Sequence, residues 1–361
     1  MRVKLSEITN YSKGDQINGD ELIENGEYIY LNGGINPSGR WSSSNVSGDT
    51  VTISEGGNSS GYVNYISEPF WCGAHCYYLY DGPSNSKYLY YALKSQQDRL
   101  FAIRSGACMP NIKKSDLGNF ELEFDSDEQK QNEIVKILSN VEQVISSRQK
   151  ELELFDELIK ARFVELFGKN KDTCEVGYYI KSLTAGKSLA GDAECVNKVL
   201  KTGAASFDYF DATQVKNLPL DYEPQAEHLV NPGDIIISRM NTAELTGAAA
   251  YVWDVQDNVY LPDRLWKANL TDECNPIFVW QMLIQPSTKE QIRRECSGTS
   301  GSMKNISKPG MLAIKVKKVP LELQNHFAEF VKQVDKSKVA VQKALEKDQL
   351  LFDSLMQEYF G

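Results

Sequence analysis

Long apolar runs, histidines and catalytic signature loops are all scarce in this chain of 361 residues. The longest nearly apolar stretch, Leu245 to Trp253, falls far short of the roughly 20 residues needed to span a bilayer. The amino terminus, MRVKLSEITNYSKGDQ, turns polar at once and has no apolar signal-peptide core. These absences lead to the expectation of a soluble, cytoplasmic protein. Seven cysteines, an odd number scattered without framework spacing, suit a reducing compartment. One cluster, Cys72-Gly73-Ala74-His75-Cys76, has the donors for a zinc site, but no second Cys/His pair follows at finger-like spacing. Its neighbours Phe70, Trp71, Tyr77 and Tyr78 make a core strand the preferred reading. His228 and His326 have no Cys or carboxylate constellation in sequence and are read as structural.

Catalytic motifs are missing too. There is no G-x-x-x-x-G-K-S/T loop, no G-x-G-x-x-G turn, no G-x-S-x-G elbow and no H-E-x-x-H helix. Asn36-Pro37, Asn231-Pro232 and Asn275-Pro276 lack the second proline of the amino-methyltransferase motif and read as turns. A non-catalytic chain is therefore expected.

What the chain does have is a repeat. Gln131-Asn132 opens a helical pattern that returns at Gln324-Asn325, and Leu154-Phe155-Asp156 near its end returns as Leu351-Phe352-Asp353. Upstream, Asn111-Ile112-Lys113-Lys114 is echoed by Asn305-Ile306-Ser307-Lys308, and Gly48-Asp49 before an apolar strand by Gly233-Asp234. The spacing between anchors is four residues longer in the second copy, which predicts one extra turn in the second helix without a change of face.

In the first helix Ile134, Leu138, Val141, Ile145, Leu152, Phe155, Ile159 and Leu166 recur at steps of four and three, a sustained heptad seam. Asp127 or Ser126 is placed to cap it and Gly168 to end it. In the second, Leu323, Phe327, Phe330, Val334, Val341, Leu351 and Leu355 form the expected seam, with Ser337, Ala344 and Asp348 as weak positions. Apolar stripes of that length need partners, so the two helices are expected to pair as an antiparallel coiled coil.

The length suggests two or three domains, and a 41% hydrophobic content is enough to build buried cores. The expected organisation is mixed α/β: a globular domain over 1–125, a helix over 126–168, a second domain over 169–320 and a second helix over 321–361. Strands are expected at Glu27–Leu31, Thr50–Ser54, Tyr62–Ile66, Asp234–Ser238 and Ala249–Val255, with one amphipathic helix per half at Lys87–Arg104 and Ile277–Arg294. The net charge is −10 and no segment is basic overall, so tight nonspecific phosphate binding by the isolated chain is not expected. Local basic clusters do occur, at Arg99, Arg104, Lys113 and Lys114 and at Arg293, Arg294, Lys304 and Lys308.

This order of elements resembles the specificity subunits of type I restriction–modification systems, over essentially the whole chain. The resemblance rests on the duplicated domain-plus-helix plan, on Gly48-Asp49 and Gly233-Asp234, on Ser302-Met303-Lys304-Asn305-Ile306, and on Pro320-Leu321-Glu322-Leu323-Gln324. The first half departs in having Asp125-Ser126 where the second has its proline. The resemblance implies a non-catalytic subunit with two target-recognition domains, each reading one half of a bipartite site in double-stranded DNA. Partners are implied as well: two adenine-N6 methyltransferase subunits using S-adenosylmethionine, and ATP-dependent, Mg-using translocase–nuclease subunits. This chain would bind no cofactor or metal itself.

On that reading Asn36, Arg40, Trp41 and Asn58 in the first domain, and Arg239, Asn241 and Arg264 in the second, are candidates for base contacts. Arg104, Lys113, Lys114, Arg294, Lys304 and Lys308 are candidates for phosphate contacts. The alternatives are a coiled-coil scaffold whose globular ends bind other proteins without reading DNA, and an unrecognised enzyme using Asp and aromatic residues in the Gly-rich clefts.

Overall fold

The computed structural model describes residues 1–106, 108–298 and 303–361. Its two globular regions have the same topology. In the first, a four-stranded antiparallel sheet runs in the order Asn10–Lys13, Cys76–Tyr80, Thr50–Ser54, Val63–Ile66. In the second the corresponding sheet runs Ile180–Ala185, Leu265–Leu270, Ile235–Ser238, Ala249–Tyr251. A three-stranded sheet accompanies each: Gly39–Trp41, Tyr28–Leu31, Trp71–Cys72 in one, and Val215–Asn217, Lys198–Leu200, Val259–Tyr260 in the other. In both, the middle strand pairs antiparallel on one side and parallel on the other.

The equivalence extends to single hydrogen bonds. Gly61 N donates to Ser54 O at 2.8 Å, and Gly247 N to Ser238 O at 2.7 Å. Both glycines have a left-handed backbone, with φ of +85° and +82°, and both lie against the following helical region. A Cβ at Gly247 would stand 2.3 Å from Ile292 Cγ2, so the turn needs glycine for conformation and for space. The aspartates after Gly48 and Gly233 are also held: Tyr65 Oη donates to Asp49 Oδ1 at 2.7 Å, and Asn231 N to Asp234 Oδ2 at 2.8 Å. Burial raises the Asp234 pKa, against the opposing effect of the Asn231 amide and Lys267.

The strands match expectation closely, whereas each expected single helix is two. Ser86–Ser95 and Gln97–Ala102 are separated at Gln96, and Pro276–Leu283 and Pro286–Glu295 at Gln285. Pro286 explains the second break, since its ring leaves no amide for a continuing helix. Asn275, expected in a turn, caps its helix by accepting from Ile277 N at 3.0 Å, with Pro276 at the first helical position.

The long helices span Glu128–Phe167 and Leu321–Phe360, 40 residues each. Between the repeat anchors, Gln324 to Leu351 against Gln131 to Leu154, the second helix is continuous and carries the four additional residues, the expected extra turn. Asp127 is the first helix's cap, its Oδ1 accepting from Gln129 N at 2.9 Å. Aligned on Gln131 and Gln324, it is this cap, and not the expected Asp125-Ser126, that stands where the second helix has Pro320. Gly168 follows the helix's last turn, its N donating to Val164 O at 2.8 Å.

Two compact units result: Met1–Lys150 with Gln342–Gly361, and Glu151–Val341. Each takes the early part of one long helix and the late part of the other, which therefore run antiparallel. In the first unit Ile134, Leu138 and Phe360 join the core of the first domain, and Arg148 pairs with Asp348 across the helices. In the second, Phe163 and Phe167 from the first helix meet Phe327 from the second and Phe278 of the domain, with ring centroids 5.0–5.9 Å apart. Such pairs add about 0.5–1.5 kcal/mol each beyond area burial.

The first helix's expected seam is at least partly buried throughout. The second holds at Phe327, Phe330, Val334, Val341 and Leu355, all at least partly buried, but not at Leu323 and Leu351, which are 47% and 49% exposed. Gln324, not Leu323, is buried at its start: its Nε2 donates to Val319 O at 2.7 Å and its Oε1 accepts from Asn275 N at 2.9 Å.

Candidate nucleic-acid interface

In the second domain the candidates converge on one cleft. The strand Met240–Asn241 pairs antiparallel with Lys304–Asn305, placing Asn241 opposite Lys304. Arg239 N donates to Arg264 O at 3.1 Å, and Arg239 O accepts from Ile306 N at 3.2 Å, so three segments distant in sequence are tied together. A cavity of about 280 Å³ opens there, lined by Thr202, Ser206, Met240, Asn241, Arg264 and Met303 among others. Asn241 Nδ2 donates to Ser206 Oγ at 3.1 Å and its Oδ1 accepts from Thr242 N at 2.9 Å, which fixes the amide in the cleft wall. Arg264 is exposed, while Arg239 is half-buried with its guanidinium 5.8 Å from the Trp266 ring centre. The Arg239 Nε has no acceptor among the described residues.

The expected phosphate contacts are more dispersed. Lys304 donates to Gly298 O at 2.7 Å. Lys308 is exposed at the start of the helix Lys308–Ala313, and Arg294 is paired with Glu290 one turn away. Ser302, part of the repeated motif, lies outside the described residues.

The first domain arranges its candidates differently. Arg40 donates Nη2 to Glu27 O at 2.6 Å and Nε to Gly26 O, so its guanidinium is engaged within the chain. Trp41 packs edge-on against Trp71 at 6.3 Å. Asn36 and Asn58 are exposed, and Arg104 Nη1 reaches Asn58 O at 3.4 Å. Lys113 and Lys114 are exposed at the start of Lys114–Gly118, with Lys114 Nζ 5.7 Å from the Tyr11 ring centre.

Backbone bonds show which positions correspond. Glu55 N donates to His75 O at 2.9 Å and Ile112 N to Glu55 O at 2.9 Å, the bonds that Arg239 makes with Arg264 and Ile306. Where the second domain has two arginines, the first has Glu55 and His75, with Lys13 Nζ 2.6 Å from Glu55 Oε1 and His75 Nδ1 3.3 Å from Oε2. His75, read in sequence as part of a core strand, is exposed in the turn between Trp71–Cys72 and Cys76–Tyr80. Sequence reasoning missed Glu55, and on the other side Ser206 and Met240, which no local motif marks and only the non-local pairing aligns. The neighbouring Cys72 and Cys76 face the core, and the Cys76 thiol and burial together push the Cys72 thiol far above its ordinary pKa. Among the described residues no His/Cys/Asp/Glu group has the arrangement to hold a metal ion. Nor is any described helix long and apolar enough to cross a membrane.

A shared scaffold used twice, with unlike side chains at corresponding backbone positions, makes this chain a tandem duplication of one α/β domain. Residues 1–154 match the family described as the type I restriction modification DNA specificity domain. A type I specificity subunit of Mycoplasma genitalium is 35% identical over 138 residues, 37% of this chain and 36% of that protein. The match thus spans about a third of that relative's length. The specificity subunit of the type I restriction enzyme MjaVIII from Methanocaldococcus jannaschii is 25% identical over 290 residues, 72% of this chain and 67% of that one. The crystal structure of a type I restriction–modification S subunit from M. genitalium superposes with a TM-score of 0.66 at 22% identity, covering 100% of this chain and 96% of that one. Residues 1–154 are thus similar to the type I restriction modification DNA specificity domain, and the whole chain shares the fold of a type I S subunit.

Proposed function

We propose that this chain reads a bipartite site in double-stranded DNA, one half per globular domain, with the paired helices setting the distance between the halves. In this reading it carries no chemistry of its own. It directs two adenine-N6 methyltransferase subunits, which use S-adenosylmethionine, and ATP- and Mg-dependent restriction subunits. The observation that supports it best is a pair of corresponding positions. The same backbone bonds place Arg239 beside Arg264 in one domain and Glu55 beside His75 in the other. Arginine donates in pairs to guanine, whereas the Glu55 carboxylate is held by Lys13 and His75, so the two domains present unlike chemistry. The base-contact set is centred on Arg239, Asn241 and Arg264, with Asn36, Trp41 and Asn58 on the first domain. Arg104, Lys113, Lys114, Arg294, Lys304 and Lys308 supply phosphate contacts. The net charge of −10 assigns much of the phosphate affinity to the partners.

The test is a map of N6-methyladenine in the native host with and without this gene. Loss of a single two-part motif on deletion is the expected result. An unchanged map, with no methyltransferase co-purifying with the chain, contradicts the reading.

A further inference from the structure

The connection after Leu31 in the first domain is a short turn over 32–38, whereas the corresponding connection in the second runs over 201–214. The longer loop displays two aromatic rings, Phe207 and Tyr209, 64% and 57% exposed, stacked at 6.4 Å with 21° between their planes. Water-facing aromatic pairs on a loop usually collapse inward, and here the backbone prevents it. Asp208 between them has a left-handed φ of +65° and is fixed at both ends. Its carboxylate accepts from Ala249 N at 3.1 Å and pairs with Lys289, and its carbonyl accepts from Trp280 Nε1 at 3.2 Å. Upstream, Ser206 Oγ donates to Thr202 O at 2.9 Å, and downstream Asp211 N donates to Ala204 O at 3.0 Å. Left-handed strain at a non-glycine residue, held by several bonds, marks a segment whose shape has a use.

Phe207 also lines the cavity that holds Asn241 and Arg264. One wall is thus an aromatic face, another the two side chains whose donors and acceptors match base edges, and Met303 closes the rim at 49% exposure. We propose that Phe207 and Tyr209 form a rigid stacking wedge that takes one unstacked nucleobase of the half-site read by the second domain, with Asn241 and Arg264 on its edge. This rests on the DNA-reading function above and adds a base that leaves the duplex stack. The first domain, with its short turn, has no such wedge.

The experiment uses the full chain purified with its methyltransferase partner, and a duplex carrying the mapped motif. Mispairs are introduced singly through the second domain's half-site by changing only the base opposite. A base already unpaired is cheaper to extrude. At one position the mispaired duplex therefore binds tighter, on the order of tenfold, as stacking on an aromatic side chain allows. The Phe207→Ala/Tyr209→Ala double variant loses that gain; both side chains are exposed, so its thermal midpoint stays near the wild type. If the matched duplex binds but no mispair tightens it, or the gain survives in the double variant, the wedge is overturned while DNA reading stands. If the double variant instead sheds the methyltransferase, the rings are a protein-docking surface and the proposal fails. If the wild-type complex ignores the matched duplex altogether, the function reading fails and the wedge with it.

Discussion

Asn85 donates its Nδ2 to Asn132 Oδ1 at 2.6 Å, and Asn275 does the same to Asn325 at 2.9 Å. Each donor also caps the helix that follows it, accepting from Tyr88 N and Ile277 N respectively. One asparagine pair therefore ties a domain helix to the start of a long helix, once in each unit. The Gln-Asn dipeptide visible as a repeat in the sequence is this joint.

The joint should be costly to break. Gln324 is fully buried and satisfies Asn275 N, Val319 O and Glu273 O. Gln324→Leu strands these groups, and a loss of about 2–4 kcal/mol is expected at roughly 1–3 kcal/mol per unsatisfied buried group. Asn325→Ala, on the exposed side, should cost less than about 1 kcal/mol. Urea denaturation of both variants checks the order; equal effects would contradict it.

Arg148 and Asp348 are both partly buried where the two long helices meet. Arg148→Ala should destabilise by about 1–2 kcal/mol, between the values for exposed and buried pairs, by leaving Asp348 without its cation. The double change Arg148→Met/Asp348→Leu should recover most of that loss, since apolar residues fit the seam. A double variant weaker than Arg148→Ala would show that the ion pair does more than fill a seam position.

Glycine at the shared turn gives a graded prediction. Gly247→Ala combines left-handed strain with a clash against Ile292 and should cost about 2–4 kcal/mol. Gly57→Ala has a φ of +76° but open space around it, so only the conformational cost of about 1–2 kcal/mol applies. Thermal midpoints of the two variants measure the difference.

Asp335 on the second long helix has its pKa raised by burial, which outweighs nearby Lys338. A folded-state pKa above the unfolded value means the native state holds the proton to higher pH. Stability is therefore lost as pH rises through that interval and is not regained above it. Asp335→Asn should raise the unfolding midpoint at neutral pH, and the gain should vanish below about pH 4, where both forms are neutral. A gain that persists in acid would contradict this.

Much of this was legible from local pattern. The strand Thr50–Ser54, the cap at Asp127 and the seam from Ile134 to Leu166 follow from residue type and spacing. The second seam followed at Phe327, Phe330, Val334, Val341 and Leu355 but not at Leu323 and Leu351, which hydropathy selected and which stand exposed beside the buried Gln324 and the half-buried Phe352. Arg40 looked available because nothing in sequence announces the carbonyls of Gly26 and Glu27 beside it. Asn241 and Arg264 were identifiable by type, but not their meeting with Ser206 and Phe207, which depends on strand pairing across dozens of residues. The correspondence of Glu55 with Arg239 is carried wholly by backbone bonds.

Exchange of one domain tests the central claim most directly. Residues 1–125 are replaced by the equivalent region of another specificity subunit, and N6-methyladenine is mapped in a host carrying the chimaera and its methyltransferase. The account predicts a motif in which one half changes and the other half and the spacing persist. A motif unchanged in both halves, from a chimaera that still supports methylation, would contradict it.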